Sequence, residues 1–177
     1  MPIFESEAMK PEVFLKSNKN EIITRWFDHV RKTYPGNTAQ FLKKENNDFA
    51  NPVGGTIAKS LEAVFNGLLN AVEKKQLESF VEPLKRIRAV QSFSASEAVS
   101  FVFFLKKIIR KLWEKQVSNE KKSAKLLPFE SKIDELALIS FDVYAKCREK
   151  IYDIKAEELK RNIYKALRRA GLVAEIP

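Results

Sequence analysis

Apolar residues recur along this chain at helical spacing in several long stretches, separated by polar or turn-forming segments. In NEIITRWFDHVRKTYPG, Ile22, Ile23, Trp26, Phe27, Val30 and Tyr34 share one face, and the pattern stops at Pro35 and Gly36. That spacing predicts an amphipathic helix with a defined end. A short helical piece is expected around 38–44, followed by the turn-rich ENNDFANPVGG. Asn51 is placed to cap the next helix, and Pro52 suits its first position. From Pro52 to about Val72, Ile57, Leu61, Val64, Phe65, Leu68, Leu69 and Val72 line one face, which must pack against another helix. The helical pattern resumes near Gln76 and runs to about Gln91. Pro83 lacks an N–H and disfavours the α conformation at Glu82, so a break or kink is expected there.

The stretch RIRAVQSFSASEAVSFVFFLKK joins a basic helix end to a helix start. Ser94 and Glu97 have the spacing of a capping box, in which the serine oxygen accepts from the backbone three residues on and the carboxylate reaches back. Beyond it, Ala98, Phe101, Val102, Leu105, Ile108, Ile109, Leu112 and Trp113 follow the 3.6 repeat, while Val99, Phe103 and Phe104 cover the other side of the first turns. A helix apolar on two sides is sandwiched or lines a pocket, so Phe101, Phe103 and Phe104 are expected in the core or in a pocket. The polar SNEKKSAK reads as a loop.

The last element is long. Ile133, Ala137, Ser140, Tyr144, Cys147, Ile151 and Ile154 alternate steps of four and three, an average that keeps one seam facing one neighbour. An intramolecular neighbour makes that seam core, whereas a second copy makes it a dimer interface. After Ile154 the pattern resumes in shifted phase at Leu159, Ile163 and Leu167, with Gly171 as a stop. No longer repeat and no low-complexity tract interrupts the sequence.

Composition agrees with helices. With 177 residues, 45% of them apolar, five Gly and seven Pro, the chain reads as one all-α domain with a sizeable core. The expected division is a tail over 1–10, a helical domain over 11–170 and a second tail over 171–177. The net charge of +9 is spread through alternating stretches such as KCREKIYDIKAEELKRN, the pattern of a solvated face. MPIFESEAMKPEVF lacks the basic end and apolar run of a signal peptide. The longest near-continuous apolar run, Ala98 to Leu105, falls far short of the roughly 18 to 20 residues needed to span a bilayer. A single cysteine excludes an internal disulfide, and a cytoplasmic location is expected.

Candidate chemistry is sparse. His29 is the only histidine, which excludes multi-histidine metal sites, and it sits beside an apolar stripe on an early helix. Cys147 lies on the final seam and reads as core packing. Gly54 and Gly55 open a helix without phosphate-loop spacing. The carboxylates Asp134, Glu135, Asp153, Glu157 and Glu158 are scattered among cations, and nothing isolates a catalytic pair. No catalytic residue, cofactor or metal is expected. Lys106, Lys107, Arg110, Lys111, Lys115, Lys121, Lys122 and Lys125, set against Glu114 and Glu120, form the strongest positive concentration. Cations near a helix C-terminus favour its dipole, and no DNA- or RNA-binding motif accompanies them. A basic adaptor binding nucleic acid through Lys106 to Lys125 is the alternative reading, and salt-dependent binding is its signature.

Three segments in order carry a family likeness: EIITRWFDHVRKTYPG with NPVGG, then RIRAVQSFSASEAVSFVFFLK, then IDELALISFDVYAKCREKIYDIKAEELKR. The chain resembles the N-terminal domain of the RsbRD-type co-antagonists of bacterial stress signalling over roughly Glu12 to Arg161, with RAVQ-F-x-x-S-x-AVSFVF the most specific part. The resemblance implies a haem-free, globin-like helical input module that dimerises, in part through the seam from Ile133 to Ile154, and passes a signal through its final helix to an output domain. Relatives of this kind often precede a STAS domain or a histidine kinase. After Arg161 only NIYKALRRAGLVAEIP follows, so the expectation is a free-standing regulator acting through a signalling partner.

Overall fold

The computed structural model describes residues 10–34, 51–116 and 124–172. Among the described residues, six α-helices form an all-α bundle: α1 (Pro11–Ser17), α2 (Lys19–Lys32), α3 (Pro52–Asn70), α4 (Lys74–Val90), α5 (Ala95–Gln116) and α6 (Leu127–Arg169). The helical piece expected around 38–44 lies outside the described residues, as does most of SNEKKSAK.

Helix starts follow the local chemistry. The Asn51 side chain accepts from the Gly54 N–H at 2.9 Å, with Pro52 in the first turn. A Cβ on Gly54 would come within 2.3 Å of the Asn51 amide, so the glycine makes room for the cap rather than for a phosphate. Before α5 the capping box is formed. Glu97 accepts from the Ser94 N–H at 2.8 Å and from its hydroxyl at 2.7 Å, which holds the Glu97 carboxyl below its usual range. Sequence periodicity did not predict α1; its seven residues are anchored by buried Phe14 and Leu15, and Phe14 meets Trp113 edge-on at 4.9 Å.

α5 runs through the core. Phe101, Val102, Leu105, Ile109 and Trp113 are wholly or almost wholly buried, each contributing about 1.5 to 3 kcal/mol by leaving water. Trp26 of α2 stacks on Phe101 and donates its indole N–H to the Phe101 carbonyl at 2.7 Å. α6 packs along α4 and α5, α3 against α4 and α2, and α2 against α5.

Three expectations need correction. Pro83 does not break its helix: α4 is continuous from Lys74 to Val90. Pro83 and Ser79 are both exposed, so the carbonyl that loses its partner faces water. Phe103, expected in the core or a pocket, is 46% exposed, because helices cover α5 on its Phe101 face but not there. Phe104 is half-buried, stacked on His29 at 5.0 Å. The third concerns the seam of α6, which divides. Ile133, Ala137, Ser140 and Tyr144 are buried in the chain's own bundle, Cys147 and Ile151 are half-buried, and Ile154 is 57% exposed. From Tyr152 to Leu172 every residue is exposed. α6 therefore leaves the bundle and continues as an unsupported helix, ended at Gly171 (φ 70°) by paired bonds, Gly171 N–H to Arg168 and Leu172 N–H to Leu167.

Candidate functional site

The least ordinary chemistry in the molecule lies where α4 passes into α5. Lys85 and Arg88 are both fully buried, and neither forms an ion pair among the described residues. The Lys85 Nζ donates to the Ala98 carbonyl at 2.5 Å and lies 4.3 Å from the centre of the Phe101 ring. The Arg88 guanidinium donates to the Glu97 carbonyl at 2.7 Å and to the Thr33 hydroxyl at 3.0 Å. It lies over Phe93 at 4.9 Å and over Tyr34 and Phe101 at 5.6 Å each. Together with Trp26, two helices thus hold three carbonyls in the first turns of α5. Carbonyl dipoles and ring faces stabilise a cation only in part when water is gone. Burial, with Arg88 beside it, pushes Lys85 down to about 6. Burial also lowers Arg88 and raises the Tyr34 phenol, each against the opposing pull of the other.

Sequence reasoning noted the basic end of this helix but not its burial. The signal was there: Leu77, Val81, Leu84 and Arg88 advance by four, three and four, which sets Arg88 on the apolar face, and Lys85 follows Val81 by four.

The same junction fastens α6. The chain leaves α4 through Ser92 at φ 61°, with Ser92 N–H bonded to Ala89 and Phe93 N–H to Arg88. The Tyr144 hydroxyl donates to the Phe93 carbonyl, and Arg148 donates to the Ala89 carbonyl at 3.0 Å and to the Tyr152 hydroxyl at 2.6 Å.

The outward side of α6 carries a second apolar stripe. Leu138, Phe141, Tyr152, Leu159, Ile163 and Leu167 are all exposed. Phe141, Tyr152 and Ile163 are spaced by eleven, as are Ala145, Ala156 and Leu167. Eleven residues make three turns at 3.67 per turn, so these positions stay in line along the helix. The stripe begins where α6 still packs on α4 and α5 and continues along the free end. Between α4 and α6 runs a groove of about 640 Å³, floored by Val143, Cys147 and Ile151 and rimmed by Lys75, Glu82 and Lys150. Burial, with Glu82 nearby, raises the Cys147 thiol, which leaves less reactive thiolate.

The other sequence-derived positions are dispersed. Of the basic patch, Lys106 pairs with Asp134 at 2.9 Å, Arg110 pairs with buried Glu130, and Lys107 lies 5.9 Å from the Phe104 ring. Lys111, Lys115 and Lys125 are exposed, and Lys121 and Lys122 lie outside the described residues. His29 is exposed on α2. No group of three or more His, Cys, Asp or Glu among the described residues is placed to hold a metal, and no described helix is long and apolar enough to cross a membrane.

A family model described as the RsbT co-antagonist protein rsbRD N-terminal domain matches residues 20–159. Comparison with curated proteins and with solved structures gave no match.

Proposed function

The chain belongs to the RsbT co-antagonist protein rsbRD N-terminal domain family, and on that premise we propose that it is a non-catalytic sensory module whose output runs through α6 by protein–protein contact. The observation that carries this reading is the outward stripe of α6, an apolar face spaced for a helical partner and continued beyond the bundle. The haem-free, globin-like arrangement implied by the family belongs to the same reading. So does a homodimer, for which the exposed outward face of α6 offers the surface, the inward seam from Ile133 to Tyr144 being part of the chain's own core. Flanking charges are mixed in sign through Asp153, Lys155, Glu157, Glu158 and Lys160, so a second copy can dock without facing only like charges. A signal acts by favouring one arrangement of the bundle over another, and it shifts the population only by its differential affinity.

The test compares two charges on one helix by light scattering and circular dichroism. Ile163→Glu on the stripe is expected to give a folded, helical monomer from a wild-type dimer at tens of micromolar. Tyr144→Glu, which buries a charge against Phe93, is expected to unfold the domain. A wild type that is monomeric at that concentration removes the dimer from the account. The Lys106 to Lys125 adaptor requires all-basic exposure, and two of its cations are engaged in ion pairs.

A further inference from the structure

A buried lysine next to a buried arginine is an arrangement that a fold tolerates only by giving one of them up as a charge. The Lys85 Nζ has one carbonyl acceptor, the Ala98 oxygen, and one ring face, Phe101. Every element packed around the pair brings a titratable or charged group. Arg88 lies on α4 itself, and the Tyr34 ring, just past the end of α2, lies 5.6 Å from the guanidinium. From α5 comes Glu97, whose carboxylate is at the surface and held by Ser94. α6 contributes Cys147, beside which Glu82 and Arg86 of α4 and Lys150 of α6 also lie. No carboxylate among the described residues reaches Lys85 to neutralise it.

We propose that Lys85 is a proton-responsive element of the core, neutral while the first turn of α5 is clamped against α4 and charged when that clamp loosens. Charging Lys85 places a second cation beside Arg88 with no new acceptor, so the ammonium gains by moving toward water. Such movement releases the Ala98 carbonyl and shifts Phe101, on which Trp26 is stacked. It also disturbs the turn from Arg88 to Phe93, which supplies the carbonyls that Tyr144 and Arg148 hold. The effect reaches α6 through these two contacts. Because burial with Arg88 sets the threshold at about 6, the response falls in the mildly acidic range. The surroundings of Lys85 support this response independently of the sensory reading, which fails or survives by light scattering.

The experiment follows the Lys85 side-chain carbon resonance by NMR from about pH 5 to about pH 9 in the full chain, in a His29→Gln background that removes the only histidine. Amide exchange is measured alongside over residues 95–102 and 144–152. The expected result is a single Lys85 transition with its midpoint near 6, and exchange in both segments at least about tenfold faster below it relative to the intrinsic rate at each pH. The exchange step should vanish in Lys85→Met, and equally in Lys85→Gln, which keeps a donor for the Ala98 carbonyl if the methionine variant does not fold. A Lys85 resonance that remains that of an ammonium throughout, or an exchange step that persists in either neutral variant, overturns the proposal.

Discussion

Ser92 sits at the position after α4 where glycine is the usual residue, since φ above zero at this point closes the paired bonds to Arg88 and Ala89. A non-glycine residue in this conformation costs about 1 kcal/mol. Ser92→Gly is therefore expected to raise stability by roughly 0.5 to 1 kcal/mol in chemical denaturation; a loss of stability would mean that the serine side chain contributes something the backbone geometry does not reveal. Ser140 presents a different case. Its hydroxyl is fully buried on α6 without a partner, so Ser140→Ala is expected to be neutral or to gain about 1 kcal/mol, and a clear destabilisation in the same assay would show a missed hydrogen bond. Lys85 contributes a pH dependence of definite sign. Its folded value of about 6 lies below the ordinary 10.5, so between those values the unfolded chain binds the extra proton. Stability from this group consequently rises with pH across that window and is lowest, and flat, below about 6. Lys85→Met should be more stable by on the order of 1 to 4 kcal/mol at acidic pH, with the advantage shrinking as pH rises. Thermal melts at several pH values check this, and an advantage that grows with pH would contradict it.

At the scale of elements, what could be read from the sequence was periodicity and capping. Asn51, the Ser94–Glu97 box, the apolar face of α3 and the stop at Gly171 all stand where local chemistry places them. What could not be read was which neighbour each face meets. The 3.5-residue seam of α6 was visible, yet spacing alone does not say that Ile133 to Tyr144 meet the chain's own helices while Ile154 meets water. Pro83 misled because the cost of a helical proline depends on whether the orphaned carbonyl is buried, which is a tertiary fact. Phe103 and Phe101 are equally apolar, and only the position of α2 and α6 decides that one is exposed. Phe103→Ala is accordingly expected to change stability by less than about 1 kcal/mol, whereas Phe101→Ala should cost about 3 to 5 kcal/mol; equal effects in denaturant titrations would contradict this division of α5.

For the whole molecule, the bundle and the free end of α6 answer to different physics. Residues up to Tyr144 are held by a shared core, but those from Tyr152 onward are all exposed. An isolated helix of about 12 to 15 residues is marginal in water, since most helical stability comes from packing an amphipathic face. A stripe of Tyr152, Leu159, Ile163 and Leu167 along such a segment is accounted for if a second copy covers it. Amide hydrogen exchange over 155–169 in the intact protein, at tens of micromolar and after dilution, tests that claim most directly. The account predicts protection at the higher concentration that is lost on dilution while residues 133–144 remain protected throughout; fast exchange over 155–169 at every concentration would contradict it.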